Sequence, residues 1–260
     1  MDILQELMDM RRADAFEQER RFSYRDILRT LGDVPPAIDF GAPFKVRNGV
    51  HIIAELKAAS PSEGVIRPDF HPLELAEELT DAGAAALSVL CEPHRFLGSE
   101  DNLRRVRRIT ELPILCKDFI STRYQIAEAR MAGADAVLLI AAALNDADLV
   151  ALKVHAHELG MSVLCETHTA KEIERAVNLE FKIIGVNCRD LKDFSTDSRV
   201  FADLVRQIPK SIVKIAESGM HTREDIQAAK EAGANGFLVG TALMRETRPG
   251  LKLKELIADC

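Results

Sequence analysis

A helix-ending glycine followed by a short apolar run recurs along this chain. Gly83, Gly133 and Gly233 each stand in the sequence Ala-Gly-Ala, and an apolar run begins three residues after each glycine. Glycine readily adopts the left-handed conformation that commonly ends a helix, and short apolar runs bounded by turn residues are typical of buried strands. Gly160 precedes a further run of this kind. The pattern therefore predicts a repeated connection from helix to strand.

In total, eight short apolar runs predict eight strands, and a helical segment follows each one. The predicted strands lie near residues 51–57, 86–91, 112–117, 135–140, 162–166, 182–187, 212–217 and 236–240. Strict alternation of strand and helix indicates a parallel sheet with right-handed crossovers. Eight units in 260 residues favour an α/β fold of the (β/α)8 TIM-barrel type, whose usual length is about 250 residues. An open doubly wound sheet is the alternative, although no G-x-G-x-x-G motif follows the first strand.

The first 48 residues do not follow this alternation. They contain the charged stretches Arg11-Arg12 and Glu17 to Arg21, and then Pro35-Pro36. We interpret residues 1–48 as an N-terminal helical extension with a linker and residues 49–260 as the barrel, together forming a single domain. The composition of the extension does not indicate its role.

The overall charge argues against a polyanionic partner. The formal net charge is −7, so we expect neither nucleic acid nor a membrane as the main partner, and an anionic ligand would need a local positive site. The longest apolar run, residues 136–144, is too short to cross a bilayer. The five cysteines form no C-x-x-C pair, which indicates a reducing, cytoplasmic location. The histidines are scattered, so we expect no metal site.

Polar residues stand at the ends of several predicted strands, where turn residues are usual. They are Glu55 and Lys57, Lys117, Glu166, Asn187 and Glu217. The carboxyl ends of parallel strands meet at one edge of the sheet, where α/β proteins hold their active sites. A lysine and a glutamate that face each other across a barrel mouth can act as acid and base in one reaction. Surface ion pairs and helix-dipole partners remain the alternatives for these residues.

Glycines and hydroxyl groups close the last two predicted strands. Ser218-Gly219 follows the seventh strand, and Gly240-Thr241 ends the eighth before a short helical run. TIM barrels often bind phosphate at these two loops, because bare backbone amides and hydroxyls donate to an anion. Arg189 follows the sixth strand and offers a planar cation for carboxylate or phosphate. Ordinary turn residues are the alternative interpretation.

Taken in order, these motifs resemble the indole-3-glycerol phosphate synthase family. The resemblance rests on residues 53–57 with Ser60-Pro61-Ser62, residues 115–120, 135–140, Glu166 with His168, residues 184–187 with 189–191, Glu217-Ser218-Gly219, and residues 237–240. It extends from about residue 50 to the C-terminus, and the extension is similar to the family only in length and position. Any one motif could arise by chance, but the ordered series is highly specific.

The resemblance implies a (β/α)8 barrel with an N-terminal extension and a small phosphorylated substrate. The implied reaction converts 1-(2-carboxyphenylamino)-1-deoxyribulose 5-phosphate into indole-3-glycerol phosphate, with release of CO2 and water, in tryptophan biosynthesis. No cofactor is expected. The resemblance leaves open whether the protein is a monomer or a weak homo-oligomer, and whether it serves another indole pathway.

Roles for individual residues follow from the same resemblance. Lys117 is expected to be the acid at the sugar carbonyl, Glu166 the base in the dehydration, and Lys57 a second cation or the acid for the leaving hydroxyl. The expected supporting residues are Glu55 and Glu217 beside the lysines, Asn187, Arg189 and Ser60 on the carboxylate and hydroxyls, Ser218, Gly219, Gly240 and Thr241 on the phosphate, and Phe96, Phe119, Leu138 and Ile140 around the aromatic ring. The last four are explained equally well as core residues.

One departure from the family pattern concerns charge, and two other functions remain as alternatives. Glu63 stands where a lysine is frequent and adds negative charge near an anionic substrate. One alternative is a related barrel enzyme, the phosphoribosylanthranilate isomerase, whose aspartate and cysteine motif we do not find. The other is a barrel that only binds a phosphorylated metabolite, although such a protein needs no combination of Lys57, Lys117 and Glu166.

Overall fold

Eight parallel strands form a closed barrel. A computed structural model describes residues 3–46, 48–188 and 198–258 of the chain. The strands are β1 (Ile52–Leu56), β2 (Ala86–Leu90), β3 (Ile114–Lys117), β4 (Ala136–Ile140), β5 (Ser162–Thr167), β6 (Ile183–Asn187), β7 (Val213–Glu217) and β8 (Gly236–Val239). Each strand pairs with its neighbours in the chain, and β8 pairs with β1 to close the barrel. The predicted TIM barrel is confirmed, and the open doubly wound sheet is excluded.

Helices alternate with the strands and surround the barrel. In chain order they are α1 (Ile3–Arg21), α2 (Tyr24–Thr30), α3 (Pro72–Asp81), α4 (Glu100–Arg107), α5 (Arg123–Met131), α6 (Asp146–Glu158), α7 (Ala170–Asn178), α8 (Ser198–Val205), α9 (Arg223–Ala232), α10 (Thr241–Met244) and α11 (Pro249–Ile257). Thr122 and Thr222 begin α5 and α9 with capping boxes. Gly83 and Gly233 have φ angles of 98° and 115°, so the helix-ending role predicted for these glycines is confirmed.

The core fills the barrel and the layer between the barrel and the helices. Barrel strands are covered on both faces, which is why they are continuous apolar runs. Phe40 and Phe44 are fully buried, and the Phe44 ring lies against Gly236 at the amino end of β8, where a Cβ atom would overlap the ring. These aromatic residues close the lower end of the barrel and leave the carboxyl end as the open one.

Helices α1 and α2 lie in the segment interpreted from sequence as an extension. Ala15 of α1 and Ile27 of α2 pack with Tyr124 and Ala127 of α5 in a small buried cluster. The first turns of α1 contribute Leu4 to the main core. The extension therefore packs along the side of the barrel and reaches its open end. Within the described ranges, no helix has both the length and the apolarity to span a bilayer.

Strand register brings the polar strand ends to one level of the barrel. Leu90 of β2 pairs with Lys117 of β3, and Asn187 of β6 pairs with Glu217 of β7. Glu166 lies in the same layer on β5, opposite Ile140 of β4 in the pairing. Because parallel strands all point the same way, the polar side chains gather at the carboxyl end.

Candidate active site

The open end of the barrel contains a cavity of about 160 Å³. Every predicted site residue that the structure describes lines this cavity: Glu55, Lys57, Ser60, Phe96, Lys117, Phe119, Leu138, Ile140, Glu166, Asn187, Glu217, Ser218, Gly219, Gly240 and Thr241. Arg189 lies outside the described residues. Residues from all eight strands and the loops that follow them thus share one space, and their expected roles can be compared with their geometry.

Lys117 lies at the centre of the charged floor. Its Nζ is 2.8 Å from Glu166 Oε2 and 2.9 Å from Glu217 Oε2. The side chains of Glu166 and Glu217 are 6% and 1% exposed, and that of Lys117 is 14% exposed. Buried charges require partners, and here one ammonium group bridges two carboxylates from different strands.

The three groups have divergent proton affinities. Burial would lower the pKa of Lys117, but the carboxylates of Glu166, Glu217 and Glu55 raise it above its usual value. Burial opposes ionisation of Glu166, yet Lys117 and His168 lower its pKa to about 2. Burial and the nearby Glu166 raise the pKa of Glu217 to about 7, although Lys117 opposes this. At neutral pH the site therefore holds an ammonium, one firmly ionised carboxylate and one carboxyl group near its midpoint.

Two further side chains hold Glu166 in place. The Asn187 side chain hydrogen-bonds to the carboxylate, and His168 Nε2 lies 3.5 Å from Glu166 Oε1. His168 Nδ1 is also 3.5 Å from Glu172 Oε2. Burial disfavours the imidazolium, but Glu172 and Glu166 raise the pKa of His168. His168 thus adds to the effect of Lys117, which is the larger of the two in lowering the pKa of Glu166.

A second lysine–glutamate pair lies beside the first. Lys57 Nζ is 2.7 Å from Glu55 Oε2, with the two side chains 12% and 5% exposed. Residues two apart on a strand share a face, so the pair points into the barrel rather than forming the surface pair considered from sequence. A Cβ atom at Gly240 would overlap Glu55 and lie 3.1 Å from Lys57 Nζ. A glycine at the end of β8 is therefore needed for this pair to fit.

Gly185 likewise leaves room for a buried glutamate side chain, that of Glu217. A Cβ atom at Gly185 would overlap Glu217 Oε1 and lie 3.3 Å from Leu164 Cδ1. Glu217 Oε1 is buried without a hydrogen-bond partner in the described part of the chain. Such an unpaired buried oxygen raises the energy of the ionised form, which agrees with the raised pKa of Glu217.

The loops after β7 and β8 form part of the rim of the cavity. Ser218 has φ of 63° and Gly219 has φ of 74°, so both lie in the left-handed region. This conformation is unfavourable for serine and persists where the surroundings require it, commonly at functional sites. Ser218, Gly219, Gly240 and Thr241 all line the cavity. Their amides and hydroxyls form the local donor set that an anion requires on a net negative protein.

An apolar wall completes the cavity. The rings of Phe96 and Phe119 have centroids 5.9 Å apart, and Leu138 and Ile140 line the same cavity from β4. Glu92 accepts hydrogen bonds from the backbone N–H of Phe96 and two preceding residues at 2.7 to 2.8 Å. These bonds fix the loop that carries Phe96.

The roof of the cavity could not be predicted from the residue pattern. Ile3, Leu4 and Leu7 of α1 line it from above. Arg11 of the same helix is 3% exposed, and its guanidinium binds Asp118, the residue after Lys117, through Nε and Nη2 at 2.9 and 2.7 Å. The spacing of Leu4, Leu7 and Met8 could have suggested a buried face in the first turns of α1, but not which part of the barrel that face covers. His168 belongs to the motifs that resemble the family, but the resemblance implied no role for it.

Two solved structures with the same architecture are distant from this chain in sequence. The chain is similar to the N-acetylmannosamine-6-phosphate 2-epimerase from Clostridium perfringens, with a TM-score of 0.61, 20% identity, and coverage of 77% of this chain and 89% of the epimerase. An orotidine 5′-phosphate decarboxylase from Pyrococcus horikoshii matches with a TM-score of 0.60, 17% identity, and coverage of 79% and 96%. At this identity the likeness establishes the barrel fold alone.

Comparison of sequences is more specific. A model of the family described as indole-3-glycerol phosphate synthase matches residues 4–256. The indole-3-glycerol phosphate synthase of Acidithiobacillus ferrooxidans is 40% identical over 261 aligned positions, covering 99% of both chains. That of Koribacter versatilis is 48% identical over 213 positions and 82% of both chains. The chain therefore belongs to the indole-3-glycerol phosphate synthase family.

Proposed function

We propose that this chain closes the indole ring of indole-3-glycerol phosphate in tryptophan biosynthesis. The substrate is 1-(2-carboxyphenylamino)-1-deoxyribulose 5-phosphate, and the reaction is that of a carboxy-lyase. The observation that carries the proposal is the Lys117 ammonium group held between Glu166 and Glu217 at 2.8 and 2.9 Å, between an apolar wall and a rim of anion donors. A pure phosphate-binding protein has no use for this acid–base arrangement.

Ring closure requires an acid at the sugar carbonyl. The aromatic carbon that bears the carboxylate forms a bond to the carbonyl carbon, and the carbonyl electron pair moves onto oxygen. Lys117 donates a proton to that oxygen, since its raised pKa keeps it an ammonium. Burial raises the pKa of Glu217, so Lys117 loses less when it exchanges this partner for the carbonyl oxygen than it would lose with a carboxylate of ordinary pKa.

Loss of CO2 and water then restores the aromatic system. The bond to the carboxylate breaks, CO2 leaves, and the bonding electrons return to the ring. The new hydroxyl group leaves as water after it receives a proton, and Glu166 removes the proton whose loss completes the indole. The low pKa of Glu166 keeps it ionised, and Lys57 supplies the second cation beside the departing oxygen.

The remaining residues orient the substrate. We assign the phosphate to Ser218, Gly219, Gly240 and Thr241, the anthranilate ring to the wall formed by Phe96, Phe119, Leu138 and Ile140, and the carboxylate and hydroxyls to Ser60, Asn187 and Arg189. Glu55 holds Lys57. Correct placement of both ends brings the aromatic carbon and the carbonyl into contact, which supplies a large part of the rate enhancement in reactions of this kind.

The same proposal includes the cellular context and organisation. We propose a cytoplasmic enzyme that acts as one unit over residues 1–260, with the extension as the roof of its site and without a nucleic acid or membrane partner. Cys91, Cys116, Cys165 and Cys188 are buried free thiols, which is in keeping with a reducing compartment. Analytical ultracentrifugation distinguishes a monomer from a weak homo-oligomer by the measured mass.

A direct assay tests the proposed function. The chain contains no tryptophan, so indole product formed from the anilino-deoxyribulose phosphate is visible by its fluorescence against little background. We expect a fluorescence increase with stoichiometric release of CO2. Folded protein that yields neither signal would contradict the proposal, and isomerisation of phosphoribosylanthranilate instead would favour the related isomerase.

A further inference from the structure

A carboxylate lies directly behind the rim assigned to phosphate. Glu63, in the loop after β1, accepts a hydrogen bond from the Thr241 hydroxyl at 3.4 Å between Oε1 and Oγ1. Its other oxygen, Oε2, is 2.5 Å from Arg245 Nη2. Thr241 is 8% exposed and lines the cavity. Glu63 thus contacts a proposed phosphate ligand through one carboxylate oxygen and an arginine through the other.

The contact belongs to a wider connection between two loops. Arg67 donates from Nη1 to the carbonyl oxygens of Met244 and Glu246 at 3.2 and 2.7 Å. Together with Glu63, it joins the loop after β1 to the segment after β8. The Glu63 side chain is 20% exposed and the Arg245 side chain is 64% exposed, so Arg67 and Glu63 hold the loop while Arg245 lies on the solvent side.

We propose that Glu63 sets the affinity of the phosphate subsite, because its carboxylate competes with the substrate phosphate for the Thr241 hydroxyl. A hydroxyl group has one proton to donate, so Thr241 cannot serve both anions. The phosphate dianion must also approach a carboxylate of like charge. Arg245 neutralises part of that charge, and the inference rests on the proposed assignment of phosphate to Thr241.

This arrangement makes separate predictions for the two partners. Glu63→Gln removes the negative charge and leaves only a neutral, weaker acceptor for the Thr241 hydroxyl, so phosphate competes better for that hydroxyl and KM falls. Arg245→Met removes one cation from beside the Glu63 carboxylate, so KM rises. In the double variant there is no charge left to neutralise, and the effect of Arg245→Met disappears. Such dependence of one substitution on another is the measure of coupling between neighbouring residues.

The test combines kinetics with binding of inorganic phosphate. We expect Glu63→Gln to lower both KM and the Kd for inorganic phosphate by roughly fivefold, the effect of one hydrogen bond and one like-charge contact, with kcat within about twofold. Glu246→Gln is the matched control, since Glu246 is an exposed glutamate nearby whose side chain does not line the cavity. Glu63→Ala is a second variant should Glu63→Gln fail to fold.

Several results would overturn the inference. An unchanged or higher KM and Kd in Glu63→Gln would mean that Glu63 supports the subsite rather than competing for it. An equal rise of KM on Arg245→Met in the wild-type and Glu63→Gln backgrounds would make Arg245 a direct phosphate ligand. If the wild type does not convert the substrate, the proposed function fails, but the phosphate Kd values still decide the role of Glu63.

Discussion

Replacement of Arg11 by methionine should destabilise the protein and impair the site beneath α1. Arg11 is 3% exposed and binds Asp118 through two nitrogens, with a further contact of 2.8 Å to Asp14 and a longer one of 3.4 Å to Glu100. Methionine fills much of the same volume without the charge. The Asp118 carboxylate, 2% exposed, then remains buried without its cation.

The magnitude follows from this burial. Removing one partner of a buried ion pair typically costs about 3–5 kcal/mol, because the remaining charge cannot be solvated. Some of this cost is avoided because Asp118 also accepts a hydrogen bond from the Phe119 N–H at 2.8 Å. We therefore expect a loss of roughly 3 kcal/mol in the free energy of unfolding. Since Asp118 directly follows Lys117, we also expect lower kcat/KM at temperatures where the variant remains folded.

Arg12 provides the matched control. It is the same residue type at the next position of α1, exposed, and bound to Ser121 Oγ at 3.3 Å. Arg12→Met should change stability by no more than about 0.5 kcal/mol. Urea denaturation followed by circular dichroism measures both variants, and the fluorescence assay measures activity. Equal stability of Arg11→Met and Arg12→Met would refute the structural role assigned to the buried guanidinium.

Two further predictions concern protonation and space. Burial and the nearby Glu100 raise the pKa of Glu128 from 4.5 to about 8, so the folded state binds the extra proton between these values and stability falls as pH rises through them. Glu128→Gln should therefore match the wild type near pH 4.5 and be more stable at pH 9. We expect a difference on the order of 2 kcal/mol, below the roughly 5 kcal/mol that the full pKa difference corresponds to, because solvent screens part of the interaction. A constant difference in urea titrations across this pH range would contradict the assignment. Gly240→Ala should displace Glu55 and Lys57 and lower kcat at least about tenfold. The control, Gly32→Ala, should retain activity because there is open space around Gly32. Wild-type turnover in Gly240→Ala would contradict the close packing of Gly240 against Glu55 and Lys57.

The sequence was sufficient to predict the barrel because its signals are local and repeated. An apolar run of strand length, a helix and a helix-ending glycine such as Gly133 can each be recognised without tertiary information. Parallel connectivity then requires that polar strand ends such as Lys117 and Glu166 meet at one edge. That reasoning predicted the shared location of the residues, and the structure agrees.

The partners within the site could not be predicted in the same way. The sequence does not indicate that Lys117 bridges both Glu166 and Glu217, since the shear and register of the closed barrel determine which side chains meet. Arg11 has the sequence appearance of a solvated residue on a charged helix, and its burial depends on the docking of α1. The orientation of Glu63 toward Thr241 depends on the path of a loop, which residue patterns specify poorly.

The most direct test of the proposed mechanism is the turnover number of Lys117→Met. Lys171→Met, at an exposed lysine of α7, is the control for loss of a positive charge. If Lys117 is the acid at the sugar carbonyl, kcat should fall about 100-fold or more with KM changed by less than about threefold, while the control keeps wild-type kinetics. A folded Lys117→Met variant with wild-type kcat, or with a loss confined to KM, would contradict general-acid catalysis by this residue.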